Sequence, residues 1–445
     1  MKIIYIPFIL IILFFSNVYS NTFENPKTIE NVEGVTLHLF EDENFSSKNL
    51  EGTHFLEGEK SVWDRIENGF QLNDISNKRV KKYTSWYQSR PEYVERMIDR
   101  SSLYLYHVVE EVEKRNMPME IALLPMIESA YNPIAKSRQK AVGVWQFIPS
   151  TGKLFGLEQD WWRDKRRNII DSTTAALDYL DHLHNLFGSW ELALAAYNAG
   201  EGRVKRAILR NKKRKLPTDY YSLKLPRETK DYVPKLLAVK KIIQDPEKYQ
   251  LFIKDIPDKP YFKVVNVPDE IDAHIAAEMA NMTFEEFELL NAEHNRPLMK
   301  AHFGAQEILL PIENVETFQK NMEGNTEPLT NWITYTPIKG EKVSHVAKKF
   351  GINIKELIKI NQLRSNQTLK NKIILIPSSP EILKKYPINT DNLYSYSTIV
   401  TYKIKSGDTL GTIARKYRIS LKDLMEFNEL KSSKIIVGKY IDIPQ

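Results

Sequence analysis

The chain has 445 residues, of which 42% are hydrophobic and 27% charged, and it contains no cysteine. This composition excludes a chain that is disordered throughout, and the missing cysteines exclude disulfides and attachment of a lipid through an N-terminal cysteine; the length suits two to four domains. The formal net charge of +6 favours an anionic partner, a description that wall polymer, membrane surface and nucleic acid all fit.

Residues 1–20 are predicted to be a secretory signal sequence. Ile3 to Phe15 is an apolar run of thirteen residues, and Val18 and Ser20 follow at a spacing typical of a cleavage site. Crossing a bilayer takes about 20 apolar residues, so a signal sequence fits this stretch better than a span. An uncleaved anchor is the alternative. Later stretches are too short to span, so we expect a soluble protein after export.

Residues 21–100 are predicted to form an N-terminal extension that is helical in its second half. Residues 21–60 are polar with few helix signals, and we assign them no role. Residues 101–250 follow, with a pattern that is nearly all helical. Apolar residues recur at helical spacing in three segments: Ser101 to Arg115, Thr173 to Phe187 and Trp190 to Ala199. Asp171 or Ser172 would cap the second of these helices, and Gly200 and Gly202 would end the third.

A lone carboxylate, Glu128, follows seven apolar residues, Ile121 to Ile127. A solvated helix keeps its charges on a polar face, and this stretch has no polar face to share. Desolvation favours the neutral acid, so the pKa of Glu128 should rise toward the range of a proton donor at working pH. A protonated carboxyl in a cleft is a general acid, as a leaving glycosidic oxygen requires. Pro125 either kinks the helix here or lies in its first turn.

Three motifs accompany this acid. AVGVWQF contains Gly143 and Gln146, AAYNAGEGRV contains Asn198, and RETKDYVPK runs from Arg227 to Lys235. Glycine permits close backbone approach to a bulky polymer, and amide side chains can bind hydroxyl and acetamido groups. Three tryptophans could either stack on sugar rings or pack in the core: Trp145, Trp161 and Trp162.

The C-terminal region contains two copies of one unit, in which Thr334 aligns with Thr401 at an offset of 67 residues. Each copy has a βααβ pattern: a short β run, a helix, a second helix capped by Asn353 or Ser420, and a β run before proline. The predicted bounds are residues 332–378 and 399–445, with a linker at 379–398 and a degenerate third copy at 260–312.

These units resemble LysM modules in the short β-turn, in the Gly-Asp-Thr-Leu of Gly407 to Leu410, and in the asparagine after the second helix. The resemblance implies binding to N-acetylglucosamine-containing glycans such as peptidoglycan. The alternative is a small structural domain in which Asn361 and Asn428 close a turn. The first copy has Gly-Glu-Lys-Val at Gly340 to Val343, which weakens the expectation that it binds glycan.

The acid and the three motifs, in this order and spacing, resemble the soluble lytic transglycosylases, and RETKDYVPK narrows the resemblance to the membrane-bound lytic murein transglycosylase D group. The resemblance implies an α+β multidomain chain, in which a mostly helical, lysozyme-like catalytic domain precedes small βααβ LysM modules. It implies cleavage of the β-1,4 bond between N-acetylmuramic acid and N-acetylglucosamine. Carried over residue by residue, it makes Glu128 the catalytic acid and predicts substrate-binding residues at Ser137, Gly143, Gln146, Tyr197, Asn198 and Tyr232.

One carboxylate can suffice if the substrate supplies the nucleophile. Retaining and inverting glycosidases need two carboxylates, and the other acids, Glu201 among them, have less apolar surroundings than Glu128. The substrate acetamido oxygen would attack the anomeric carbon as Glu128 protonates the leaving oxygen, and closure by the C6 hydroxyl would give a 1,6-anhydro ring. The alternatives are a hydrolase like the goose-type lysozymes and a catalytically silent wall-binding scaffold.

Few features suggest further ligands. We expect no metal and no cofactor, because His182 and His184 lie on different helix faces and no HExxH or Walker pattern occurs. Arg203 to Lys215 holds eight basic residues and no acid, which is more typical of a solvated helix edge than of a nucleic-acid site, and attraction to wall carboxylates is a further option. The prediction is a periplasmic monomer, bound to peptidoglycan strands and loosely associated with wall or membrane, without nucleic acid or a transmembrane span after signal removal.

Overall fold

The computed structural model describes the chain from residue 60 onward, with gaps. The predicted signal sequence, the polar segment up to residue 59, the linker at 379–398, Ser420 and Asn428 lie outside the described residues. The described residues are 60–300, 306–338, 340–361, 363, 368–369, 373–378, 399–417, 421, 424–425, 430, 432–433 and 435–444.

The region up to residue 250 is helical and contains the predicted helices with some shifts in their bounds. Residues 101 and 102 end a preceding helix, and Leu103 and Tyr104 separate it from the next one, so the predicted helix from Ser101 begins later. The helices are α1 Val62–Asn68, α2 Lys78–Gln88, α3 Pro91–Ser102, α4 Leu105–Lys114, α5 Leu124–Glu128, α6 Pro149–Leu154, α7 Ile169–Phe187, α8 Trp190–Ala199, α9 Glu201–Lys213 and α10 Arg227–Gln244.

Side-chain caps and one glycine account for the remaining shifts. Asn168, rather than Asp171 or Ser172, caps α7: its side chain accepts a hydrogen bond from the Asp171 N–H, so the helix begins a turn earlier than predicted. Gly200 ends α8 at a φ of +84°, whereas Gly202 lies inside α9 and breaks nothing. Helix α8 has the predicted bounds.

Helix α8 lies at the centre of this region. Residues 192–196 of α8 are all apolar and buried, and the helix packs against α7, α9 and α10. Helix α10 packs in turn against α2. Three of these five residues are alanine, which lets neighbouring helices approach closely, and the burial follows from the hydrophobic effect.

A buried ion pair ties the N-terminal helices to α10. Glu120 is fully buried and accepts hydrogen bonds from the N–H groups of Gln71 and Leu72, at 3.1 and 2.9 Å. The Lys240 ammonium donates to the same carboxylate at 3.0 Å and to the Leu72 carbonyl at 2.8 Å. Because a buried charge without a partner is costly, this pair fixes the segment after α1 against α10.

The middle module begins after residue 260 and has two small antiparallel sheets with three helices. Its core includes Ile271, Phe287 and Ile308, and it continues past the predicted boundary at residue 312, because Val315 and Phe318 of the third helix pack into it. The elements are β1 Phe262–Val267 paired with β4 Gln306–Pro311, β2 Glu270–Asp272 paired with β3 Leu298–Lys300, α11 Ala273–Met279, α12 Phe284–Leu290 and α13 Ile312–Glu323.

In each of the two repeats the first and last strands pair as a two-stranded antiparallel sheet. In the first, the sheet pairs Trp332 with Pro377, and the Asn353 side chain caps the second helix by accepting from the Lys355 N–H at 2.8 Å. The elements of the first copy are β5 Trp332–Tyr335, α14 Val343–Lys349, α15 Ile354–Asn361 and β6 Ile374–Pro377; those described in the second are β7 Ile399–Lys403, α16 Leu410–Lys416 and β8 Tyr440–Pro444.

The asparagine after the second helix closes a turn. Asn361 donates to the carbonyls of Leu357 and Leu375 and accepts from the Leu375 N–H, at 3.1, 2.8 and 2.6 Å. Asn291 of the middle module makes the same three bonds, to Phe287 and Leu309. Both asparagines are buried, so their side chains fix α15 to β6 and α12 to β4.

The two repeats also share a polar cluster at the first turn. In the second copy Asp408 accepts from the Tyr402 hydroxyl at 2.8 Å and from the Lys405 N–H at 2.8 Å. In the first copy Glu341 accepts from Tyr335 at 2.9 Å and from the N–H of residue 338 at 3.0 Å. The glutamate therefore replaces the aspartate in both hydrogen bonds, and the first copy keeps the turn of the second.

A cluster of tryptophans joins three regions of the chain. Trp161 and Trp162 pack with Leu298 of the middle module and with Trp332, and this cluster also includes Ile360 and Leu375 of the first repeat. The Trp332 indole N–H donates to the Asp272 carboxylate at 2.8 Å. The helical region, the middle module and the first repeat therefore share one apolar cluster, and of the two roles considered for these tryptophans, Trp161 and Trp162 have the core role.

Two features of the described residues bear on partners. In this part of the chain, no helix is long and apolar enough to cross a membrane. The described residues also contain no group of three or more His, Cys, Asp or Glu side chains placed to hold a metal ion.

Candidate active site

Glu128 is the last residue of the short helix α5. A 3-10 turn at Met119–Leu123 leads into α5, and Pro125 lies in the first turn of the helix, where its missing N–H costs nothing. The chain then reverses sharply, because Ala130 and Tyr131 both have a positive φ, of 51° and 57°. The fully buried Tyr131 holds this reversal with its hydroxyl, which donates to the Ala122 carbonyl at 2.8 Å. Of the two positions considered for Pro125, the first-turn position is the observed one.

The Glu128 carboxyl is partly exposed and bound to one side chain. The Tyr232 hydroxyl donates to Glu128 Oε1 at 2.5 Å. Burial raises the pKa of Glu128 to about 7, while the Tyr232 hydrogen bond and the nearby charge of Lys235 act in the opposite direction. The carboxyl therefore keeps its proton to a higher pH than an ordinary glutamate does, as the apolar run before it predicts, and Tyr232 can bind the anion that forms when the proton leaves.

One face of α10 adds two charged residues that the sequence analysis missed. Glu228, Tyr232 and Lys235 are spaced four and three residues apart, so they share a face of the helix, and both charges act on the pKa of Glu128. Burial lowers the pKa of Lys235 itself. All three residues belong to RETKDYVPK, so the helical spacing of that motif, read from Tyr232 outward, would have identified them.

The segment between residues 135 and 147 is a folded loop that places Trp145 against the helices. Gly143 has a φ of +80°, and a Cβ there would lie 2.2 Å from the carbonyl oxygen of Arg166. The Gln146 amide donates to the Gly143 carbonyl at 2.9 Å, and the Ser137 hydroxyl accepts from the Ala141 N–H at 3.1 Å. The close approach at Gly143 is therefore made by the protein backbone, and all three predicted residues have bonds within their own loop.

The second motif connects this loop to α10. The Tyr197 hydroxyl donates to the carbonyl of Trp145 at 2.8 Å, and Asn198 accepts from the hydroxyl of the buried Thr229 at 2.9 Å. Trp145 is fully buried, with its indole bound to Thr173, so it has the core role considered for it. The charge of Glu128 acts on the pKa of both Tyr197 and Tyr232, and burial raises the pKa of each well above its ordinary value. Glu128, Tyr197 and Tyr232 are therefore neighbours.

Two other acids, Glu201 and Asp164, are candidates for a second carboxylate, and both have partners of their own. The carboxylate of Glu201 lies within 3.3 Å of both His182 and Lys205, and despite partial burial these hydrogen bonds hold its pKa below the ordinary range. Asp164 is fully buried in a salt bridge with Arg166 at 2.7 Å. The lowered pKa favours the ionised form of Glu201, and the Asp164 carboxylate is committed to its ion pair. The exposed Glu228 is the acid whose charge acts on Glu128.

Three family models match parts of the chain. The model described as Transglycosylase SLT domain matches residues 106–218, which include Glu128 and the first two motifs. The model described as Lytic transglycosylase MltD, LysM-like domain matches residues 261–324, the middle module. The LysM domain model matches residues 335–371 and 402–444, one in each repeat.

Two curated proteins are similar over different lengths. Membrane-bound lytic murein transglycosylase D of Escherichia coli (strain K12) is 32% identical over 380 residues, which cover 82% of this chain and 82% of that protein. A putative tributyltin chloride resistance protein of Alteromonas sp. (strain M-1) is 43% identical over 149 residues, which cover 33% of this chain and 72% of that protein.

Proposed function

The chain belongs to the family of membrane-bound lytic murein transglycosylase D and is a lytic transglycosylase with LysM modules, and from this premise we propose how its side chains work. The substrate is peptidoglycan, and the bond cut is the β-1,4 bond between N-acetylmuramic acid and N-acetylglucosamine. Glu128 acts alone, first as acid and then as base. The observation that carries the proposal is the Glu128 carboxyl, whose pKa burial raises to about 7, bound to Tyr232 at 2.5 Å.

In the first step Glu128 donates its proton to the glycosidic oxygen that leaves with N-acetylglucosamine. The acetamido oxygen of N-acetylmuramic acid forms a bond to the anomeric carbon as the glycosidic bond breaks. The new Glu128 carboxylate keeps the hydrogen bond from Tyr232, which stabilises the charged form. Lys235 supports the same anion, because its positive charge lowers the pKa of Glu128.

In the second step Glu128 takes the proton of the muramic C6 hydroxyl. The C6 oxygen bonds to the anomeric carbon, the acetamido oxygen leaves, and the product is a 1,6-anhydro ring. Glu128 ends the cycle protonated, and no water is consumed. Both reacting oxygens belong to the bound sugar, so each step is intramolecular, which can lower a barrier by about 7 kcal/mol or more.

Substrate binding is assigned to residues of the three motifs. Tyr197 is a neighbour of Glu128, and Asn198 is held by Thr229 of α10, which supports the assignment of both residues to substrate binding. Ser137 and Gln146 would contact the acetamido and hydroxyl groups, and Gly143 gives the loop its path past Arg166. The repeats would bind glycan strands. The enzyme would act as a monomer in the periplasm.

One observation favours a second candidate, a hydrolase. Glu228 is exposed and its charge acts on Glu128, so it could activate water as the second carboxylate of an inverting enzyme does. Mass spectrometry of digested sacculi distinguishes the two: we expect anhydro-muropeptides, and hydrated muropeptides would overturn the proposal in favour of hydrolysis.

Two isosteric variants sharpen this test. Glu128→Gln should abolish release of soluble fragments while leaving binding to sacculi unchanged. Glu228→Gln should keep anhydro products, whereas loss of all products in Glu228→Gln with normal folding would favour the hydrolase. A wild-type protein that binds sacculi but releases nothing would favour the silent scaffold.

A further inference from the structure

Helix α9 and the turn after it carry an unbalanced positive charge. All eight basic side chains of Arg203 to Lys215 are exposed. Lys205 pairs with Glu201 at 3.3 Å. Within the part of the chain that the structure describes, the other seven form no ion pair with a carboxylate. Salt bridges elsewhere on the surface are common, so this segment is a concentrated cationic surface: Arg203, Arg206, Arg210, Lys212, Lys213, Arg214 and Lys215.

The helix has one buried face and one outward face. Val204, Ala207 and Asn211 are buried, and they recur at the three- and four-residue spacing of a single face. At about 100° per residue, Leu209 lies on the opposite side, and its side chain is 57% exposed. Four cationic residues flank Leu209 on the outward face: Lys205, Arg206, Lys212 and Lys213. A second exposed leucine, Leu216, follows the helix and is 49% exposed.

The combination of cationic residues with an exposed leucine favours one class of anionic partner over the others. Cations alone would suit any polyanion, including nucleic acid and the carboxylates of wall peptides. A leucine at the outermost line of a basic helix gains nothing from a hydrated polymer, but it is buried when the helix lies in the interface of a bilayer with anionic headgroups. Leu209 therefore favours the lipid surface.

We propose that the outward face of α9 binds the surface of an anionic lipid bilayer, with Leu209 inserted among the headgroups and the flanking cations on the lipid charges. The same helix begins at Glu201, within the motif that contains Tyr197 and Asn198. A bilayer contact would therefore hold the candidate active site close to the membrane. The inference rests on α9 alone and does not depend on the proposed reaction.

Co-sedimentation of the full chain with vesicles tests the proposal. We expect binding to vesicles of phosphatidylethanolamine and phosphatidylglycerol, weak binding to vesicles of phosphatidylcholine alone, and loss of binding at high salt. Replacing Lys212, Lys213 and Arg214 together by alanine should weaken binding to the anionic vesicles at least about tenfold. A matched control is Lys320→Ala on α13, which removes an exposed lysine from another surface and should change nothing.

A second variant separates lipid from the other polyanions. Leu209→Ser should weaken binding to anionic vesicles several-fold while leaving binding to sacculi and to DNA unchanged, and Leu209→Trp should show a blue-shifted fluorescence on anionic vesicles. Because Leu209 is exposed, circular dichroism should show both variants folded. Equal vesicle binding by wild type and the triple variant, or a triple variant that loses sacculus or DNA binding alone, would overturn the proposal.

Discussion

Replacing Glu128, the proposed catalytic acid, by its neutral isostere glutamine should stabilise the protein in a way that depends on pH. Burial raises the pKa of Glu128 from 4.5 to about 7 in the folded state. Above pH 4.5 the unfolded chain releases this proton, and the folded chain either keeps it or holds an unfavourable charge. Folding is therefore penalised progressively from pH 4.5 to about pH 7, and the penalty is constant above that range. Glu128→Gln escapes the penalty.

The magnitude follows from the two pKa values. Each unit of difference corresponds to about 1.4 kcal/mol, so the gain in unfolding free energy on Glu128→Gln should reach about 3 kcal/mol at pH 8. That value is an upper limit, since Glu128 keeps some contact with solvent. Below pH 4 the gain should vanish, because the acid is then protonated in both states. The amide oxygen that Glu128→Gln introduces would still accept the hydrogen bond from Tyr232.

Urea titrations of wild type and variant at a series of pH values measure the gain. Glu201→Gln is a matched control with the opposite sign: hydrogen bonds from Lys205 and His182 outweigh partial burial and hold the pKa of Glu201 below its ordinary range, so this variant should lose stability at neutral pH and match wild type in acid. A difference between Glu128→Gln and wild type that stays the same from pH 4 to pH 8 would refute the reasoning.

Three further predictions concern single side chains. Tyr232→Phe should move the alkaline limb of the pH–activity profile upward by about one unit, because it removes the hydrogen bond that lowers the pKa of Glu128; Tyr197→Phe should not move it, and an unmoved limb in both variants would contradict the proposed role of Glu128. Gly143→Ala should lower the unfolding free energy by more than about 3 kcal/mol, since its Cβ would lie 2.2 Å from a carbonyl oxygen, whereas Gly156→Ala, with open space around it, should cost about 1–2 kcal/mol in the same denaturation assay. Asn361→Ala should cost about 2–4 kcal/mol by unpairing buried backbone groups, seen as a lower melting temperature; an unchanged melting temperature with weaker glycan binding would instead assign this side chain to the ligand.

Features set by local sequence were predicted well. Helix α8 has the predicted bounds, because its alanine-rich run and the following Gly200 settle them within one segment. The βααβ order of the first repeat and the Asn353 cap follow equally from local signals. The raised pKa of Glu128 was predicted from its apolar neighbours, and burial is the cause that the structure shows.

Features set by distant contacts were missed. Tyr232 is 104 residues from Glu128 in the chain, and no periodicity in either segment indicates their hydrogen bond. The effect of Glu228 and Lys235 on Glu128 depends on the packing of α10 beside α5, which the sequence does not indicate. The predicted N-cap of α7 was also wrong. Asp171 and Ser172 were the predicted candidates, but the upstream Asn168 caps the helix. Gly143 was predicted to allow close approach of the substrate, but the backbone of Arg166 occupies the space beside it.

The shared tryptophan cluster has a consequence for how the molecule melts. Trp161, Trp162 and Trp332 are each at most 9% exposed, and they come from the helical region and from the start of the first repeat. Losing the first repeat would remove Trp332, Ile360 and Leu375 from the cluster that buries the other two indole rings, so the repeat contributes to the thermal stability of the enzyme. We therefore expect the helical region, the middle module and the first repeat to unfold in a single calorimetric transition, as one cooperative unit.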